Sequence, residues 1–104
     1  MNYENISTLL KAIASPIRLE ILNLLSCGEL CACDLLAHFH ITQPTLSHHM
    51  KALSANNLIH SRKEGNRHYY RLNTAAYQDL LAQLNLIGTS QASCACHTLN
   101  KGDC

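Results

Sequence analysis

The sequence has little charge and little glycine: 14% of its 104 residues are charged, four are glycine, and no glycine-rich loop suited to phosphate is present. No set of nucleophile, base and oxyanion donors stands out, and the histidines lack the paired carboxylates that tune imidazole for acid–base work, so an enzyme is not expected. Long apolar runs are missing as well, and nothing approaches the about 20 residues that a membrane span needs. The opening Met-Asn-Tyr-Glu-Asn has no basic region followed by an apolar run, so no secretory leader is expected and the inferred compartment is the cytoplasm. Repeats and low-complexity tracts are absent from the sequence.

What is present is an apolar fraction of 47%, enough for one compact domain and too short a chain for two. Apolar residues toward both ends suggest that terminal helices are buried against a second copy, giving a homodimer. Six cysteines in a cytosolic chain are better read as metal ligands or redox thiols than as a disulfide framework. The net charge of +1 is unevenly spread. Lys51, Arg62, Lys63, Arg67 and Arg71 face Glu64 alone between positions 42 and 73, whereas three basic and six acidic residues make up the rest. Such segregation fits one nucleic-acid face and a neutral-to-acidic back.

Hydrophobic periodicity predicts a mainly α domain with a small β-hairpin over residues 1–88, followed by a polar, flexible cysteine-containing tail over 89–104. Leu9, Leu10 and Ile13 mark a first helix over about 4–13. Ser15 and Pro16 cap and open a second, carried by Ile17, Ile21, Leu24 and Leu25 and stopped near Gly28. A short third helix fits 31–39, and Thr42 caps a fourth in which Leu46, Met50 and Leu53 face the core. Beyond Asn56-Asn57, two β-rich runs meet at Gly65-Asn66, and a last helix fits 74–87.

The third and fourth helices, joined through residues 38–42, match a helix-turn-helix whose second member enters the major groove. Gln43, Thr45, Ser47 and His48 are the expected contacts to base edges or phosphates, with Lys51 on the backbone. Arg62, Lys63, Asn66 and Arg67 surround the hairpin tip, where a wing would touch phosphates or the minor groove. His49, on the flank of the apolar stripe, is expected to pack and hydrogen-bond instead of reading bases. Cys27 is expected to end the second helix facing the core.

Cys31-Ala-Cys33 falls at the start of the third helix, where cysteine is a poor cap, costing on the order of 1 kcal/mol by the usual cap replacements. Thiols at i and i+2 within a regular helix diverge, so they share an ion only if the first lies outside the helix or the first turn unwinds. A helix N-terminus favours thiolate, a ligand for a soft ion, and such binding would alter the helix leading into the recognition helix. The plainer alternative is a pair of small buried hydrophobes.

The runs Ser15-Pro-Ile-Arg-Leu-Glu-Ile-Leu, Gly28-Glu-Leu-Cys-Ala-Cys-Asp-Leu-Leu, Gln43-Pro-Thr-Leu-Ser-His-His-Met-Lys-Ala-Leu and Arg62-Lys-Glu-Gly-Asn-Arg-His-Tyr-Tyr-Arg-Leu together resemble the ArsR/SmtB family. The late Cys94-Ala-Cys96 and Gly102-Asp-Cys104 are similar to the arsenical-resistance repressors within it. That resemblance implies a winged helix-turn-helix homodimer that represses at double-stranded operator DNA and leaves it when arsenic(III) or antimony(III) binds Cys31 and Cys33, with no organic cofactor. Some relatives place a third cysteine three residues after the second, where this chain has Leu36. The third ligand is therefore sought among Cys94, Cys96 and Cys104, or in a non-protein thiol. Asp79 without a histidine between 74 and 87 argues against the nitrogen and oxygen site of zinc, nickel or cobalt sensors. Alternatives are a cadmium, lead or bismuth sensor or a thiol-redox sensor of the same fold, and, from another class, a metal-sequestering thiol module that never binds DNA.

Overall fold

The computed structural model describes residues 1–99. Helix α1 (Tyr3–Ile13) is capped by Asn2, whose side chain accepts from the Asn5 amide at 3.0 Å. Ser15 then caps α2 (Pro16–Leu25), accepting from the Arg18 amide, and Pro16 occupies the first turn, where its missing N–H breaks no bond. The chain reverses through Gly28, whose φ of +139° suits glycine. A two-residue strand β1 (Leu30–Cys31) leads directly into α3 (Ala32–Phe39). His40 ends α3 in the left-handed region at φ 53°, its amide donating to the Leu36 carbonyl, and the chain passes through Thr42 into α4 (Gln43–Ala55).

Strands β2 (Ile59–Glu64) and β3 (Arg67–Leu72) pair antiparallel from Ile59↔Leu72 to Glu64↔Arg67, so a two-residue turn joins them. Gly65 supplies the positive φ of +61° that this turn requires at its first position. Helix α5 (Thr74–Ile87) follows, capped by the Asn73 side chain, and a short 3₁₀ turn spans Ala95–Thr98. The sheet order is β1-β3-β2, with Leu30 opposite Tyr70 and Cys31 opposite Tyr69.

Periodicity reads part of the interior: Ile21, Leu25, Leu46, Met50 and Leu53 are buried as expected, whereas Leu10 of the first stripe is exposed and Leu22 is buried outside the expected stripe. Ile21, Leu35, Leu53, Leu58 and Leu80 are essentially inaccessible, and Leu25, Leu46, Met50 and Ile59 pack with the first four in one core between the helices and the sheet. Burying a side chain of this size contributes about 1.5–3 kcal/mol each. Tyr3, Leu10, Leu81, Leu86 and Ile87, all on the two terminal helices, remain exposed. Among the described residues, no helix is long and apolar enough to cross a membrane.

Two expectations are corrected. The hairpin is part of a three-stranded sheet, because β1 adds to the free edge of β3; two residues are too few to show alternation in the sequence. Cys27 does not face the core: α2 ends at Leu25, and Cys27 lies exposed in the following turn with its amide on the Leu24 carbonyl.

Candidate nucleic-acid interface and thiol site

Helix α4 starts at Thr42, whose Oγ1 accepts from the Thr45 amide at 3.4 Å and lies 2.9 Å from the Thr45 hydroxyl. Thr45 is therefore part of the cap as well as of the exposed first turn. Leu46, Met50 and Leu53 turn inward, leaving Gln43, Thr45, Ser47, His48 and Lys51 exposed. Gln43, Ser47 and Lys51 line a cleft of about 260 Å³ whose far wall is Ser61, His68 and Tyr70 of the wing. His49 is only partly exposed and accepts from Arg18 Nε at 3.0 Å, while Arg18 also donates to the Ala12 carbonyl. Burial, then the positive charge of Arg18 and proximity to His48, hold the His49 pKa below the ordinary imidazole value. The histidine thus pins α4 to α2 in its neutral form, as its position on the flank of the stripe suggests.

The wing arginines are not equivalent. Arg62 donates to both carboxylate oxygens of Glu29, at 2.7 and 3.0 Å, and to Glu64 at 2.7 Å, with its guanidinium 4.4 Å from the Tyr69 ring centroid. The bond from Arg62 pulls the Glu29 carboxyl below its usual range. Lys63, Asn66 and Arg67 are exposed beside the turn and make no ion pair among the described residues. Glu29 escapes a sequence reading because it stands 33 positions from Arg62 and no local spacing links them.

The thiol site owes its shape to Cys31 standing outside the helix. Cys31 is the N-cap of α3, in extended conformation at φ −86° and ψ 160°, so its side chain turns toward that of Cys33 and does not diverge from it. The two sulfurs are joined in a disulfide, with Cα atoms 5.3 Å apart. Asp34 completes a reciprocal cap: its amide donates to Cys31 Sγ at 3.3 Å, and its carboxylate accepts from the Cys31 amide at 2.9 Å. The ligand atoms of Cys31, Cys33 and Asp34 lie within 4.8 Å of one another. Cys31 is buried, and Cys33 is exposed.

Cys94 and Cys96 are not brought to this pair. Cys94 lines a separate depression with Met1, Tyr3, Leu86 and Ile87, where the N-terminal residues meet the end of α5. Its Sγ accepts from the Cys96 amide at 3.4 Å, and hydrogen bonding from Cys96 lowers its pKa while raising that of Cys96. Cys104 lies outside the described residues.

A family model described as bacterial regulatory protein, arsR family, matches residues 15–61, from the cap of α2 into β2. An arsenical resistance operon repressor of Staphylococcus aureus is 56% identical over 104 residues, with both chains wholly covered. The chain belongs to the ArsR family. Its similarity to an arsenical resistance operon repressor of Staphylococcus xylosus is 54% identity over the same length, again covering both chains. Among solved structures, a possible transcriptional regulator for arsenical resistance superposes with a TM-score of 0.71 at 30% identity, covering 79% of this chain and 85% of that one. HlyU from Vibrio cholerae gives 0.68 at 29% identity, covering 86% and 100%. The ArsR fold accounts for the order of elements here, and the chain is a transcriptional repressor of that family, not an enzyme. The family-matched segment contains both the thiol pair and α4, so the pair stands at the start of the first helix of the helix-turn-helix, Cys31 as its cap and Cys33 in its first turn.

Proposed function

We propose that this ArsR protein is a cytoplasmic, arsenite- and antimonite-responsive repressor that binds operator DNA as a homodimer and leaves it when trivalent metalloid binds Cys31 and Cys33. The observation that carries this reading is the convergence of the two sulfurs at the start of the helix that precedes α4. Trivalent arsenic is soft and thiophilic, and the site offers sulfur first; among the described residues the carboxylate of Asp34 is grouped with the two sulfurs, and it is already engaged in the cap. In the dithiol form Cys31 and Cys33 would hold the ion, and the ion would supply bonds that compete with the Asp34 cap. The arsenical-resistance relatives support this choice of effector.

DNA contact is assigned to Gln43, Thr45, Ser47, His48 and Lys51 on α4 and to Lys63, Asn66 and Arg67 on the wing, with Arg62 positioned by its two carboxylates. The exposed apolar residues of α1 and α5 support dimerisation through the terminal helices. Anisotropy of a fluorescent operator duplex at fixed salt, under reducing and anaerobic conditions, tests the reading. Arsenite should release the wild-type protein and leave Cys31→Ser and Cys33→Ser bound; release of either variant would overturn the assignment.

A second reading is favoured by one observation, the bond between Cys31 and Cys33. On that reading, oxidation of the pair replaces metalloid binding. Loss of DNA affinity in oxidant alone, restored by reductant, distinguishes it.

A further inference from the structure

The thiol pair forms one side of a cavity of about 250 Å³, and the rest of its wall includes Gln43 from α4 and Asn66, Arg67 and His68 from the wing. Two facts make this cavity informative. Trivalent arsenic takes three sulfurs where it can, yet no third cysteine lies by the pair among the described residues, and Cys94 lines a different depression. The cavity is also smaller than the about 300–1,000 Å³ of a site for a drug-sized ligand. Its wall includes Arg67, whose guanidinium has no carboxylate partner among the described residues.

We propose that this cavity is a subsite for a small thiol bearing a carboxylate, which supplies the third sulfur to the metalloid while Arg67 receives its carboxylate. The proposal rests on the metalloid reading above and identifies the ligand that completes it. Two equivalents of the small thiol, RSH, first reduce the Cys31–Cys33 disulfide, yielding two cysteine thiols and RSSR. Arsenous acid, As(OH)₃, then condenses with the two cysteine thiols and one RSH. Three As–S bonds form, the three S–H protons leave with the three hydroxyls as water, and arsenic stays trivalent.

The placement explains release without a long-range path. Gln43, Asn66 and Arg67 are candidate DNA contacts, so a carboxylate seated on Arg67 takes the place that a phosphate would occupy. Occupancy of the subsite and DNA binding then exclude one another.

The test uses the full chain with Cys27, Cys94, Cys96 and Cys104 changed to serine, leaving the pair as its sole thiols. Arsenite is added alone, with mercaptoacetate, or with the neutral 2-mercaptoethanol, and X-ray absorption counts the sulfur neighbours of arsenic. Arsenite alone should show two sulfurs on protein reduced with a phosphine, and mercaptoacetate should raise the count to three. Half-saturation should need about tenfold less mercaptoacetate than 2-mercaptoethanol, the factor expected for one charge-assisted hydrogen bond. That preference should vanish in Arg67→Gln and persist in Arg67→Lys. Both thiols also complex arsenite in solution, but that competition is the same for every variant and cancels in the comparison among them. Equal response to both thiols, or a preference indifferent to Arg67→Gln, would overturn the subsite. So would three sulfurs on the wild type without any small thiol, falling to two when the four other cysteines are removed. Arsenic without sulfur neighbours on the phosphine-reduced protein in the absence of any small thiol would instead overturn the metalloid reading itself.

Discussion

Cys31 has two separable jobs, and serine tests them apart. As the N-cap it accepts from the Asp34 amide, which a serine hydroxyl does at least as well; as a sensor it needs sulfur. Cys31→Ser should therefore hold or slightly raise the midpoint of urea unfolding while abolishing the arsenite response. Cys31→Ala should lose the response and also about 1 kcal/mol of stability, the usual cost of deleting a cap. His49 gives a pH signature of a different kind. Its folded pKa lies below the ordinary value of 6.5, so between the two values the unfolded chain binds more protons. Its contribution is complete above about pH 6.5 and declines as the pH falls through that value toward the folded pKa. Unfolding followed from pH 7.5 to 5 should show that decline in the wild type and a shallower one in His49→Gln. The same slope in both proteins would remove His49 as its source.

At the scale of the element, the wing is best probed by salt. Each phosphate contact contributes close to one unit to the slope of log affinity against log salt concentration. Lys63→Ala and Arg67→Ala should each lower that slope by about 1 per protomer, about 2 for the bound dimer, whereas Arg62→Ala should lower it by clearly less, because Glu29 and Glu64 already neutralise Arg62. Equal losses at all three positions would mean that DNA draws Arg62 away from its carboxylates. The elements themselves were readable wherever a period or a cap extends over several residues. Ser15-Pro16, Thr42 and the Leu46, Met50, Leu53 stripe gave α2 and α4, and Gly65-Asn66 gave the turn. Strand β1 was not readable, since two residues carry no alternation and its pairing with Tyr69 and Tyr70 spans nearly forty positions. The convergence of Cys31 with Cys33 was legible only as a condition, that the first cysteine lie outside the helix, and the structure meets it. The Glu29–Arg62 clamp and the separation of Cys94 from the pair are tertiary facts with no local signature.

For the whole molecule, the exposed apolar residues of α1 and α5 define the assembly prediction. Changing Leu86 and Ile87 to glutamate places charge on a face proposed to be buried between copies. Sedimentation should then show a monomer, and operator affinity should fall at least tenfold as the second half-site is lost. An unchanged dimer would move the interface elsewhere. One consequence of the β1–α3 junction reaches beyond any single substitution. Cys31 is at once the last residue of a strand paired to the wing and the cap of a helix, so its position is fixed from both sides. Inserting or deleting one residue between Gly28 and Cys31 would slip the strand register, and a slip of one turns every side chain to the opposite face. The capping sulfur would lose its place opposite Tyr69, or Glu29 its place beside Arg62, because the strand can keep only one of the two in register. Residues 29–34 should therefore accept replacement in kind across descendants of this gene but no change of length, while indels accumulate elsewhere along the chain.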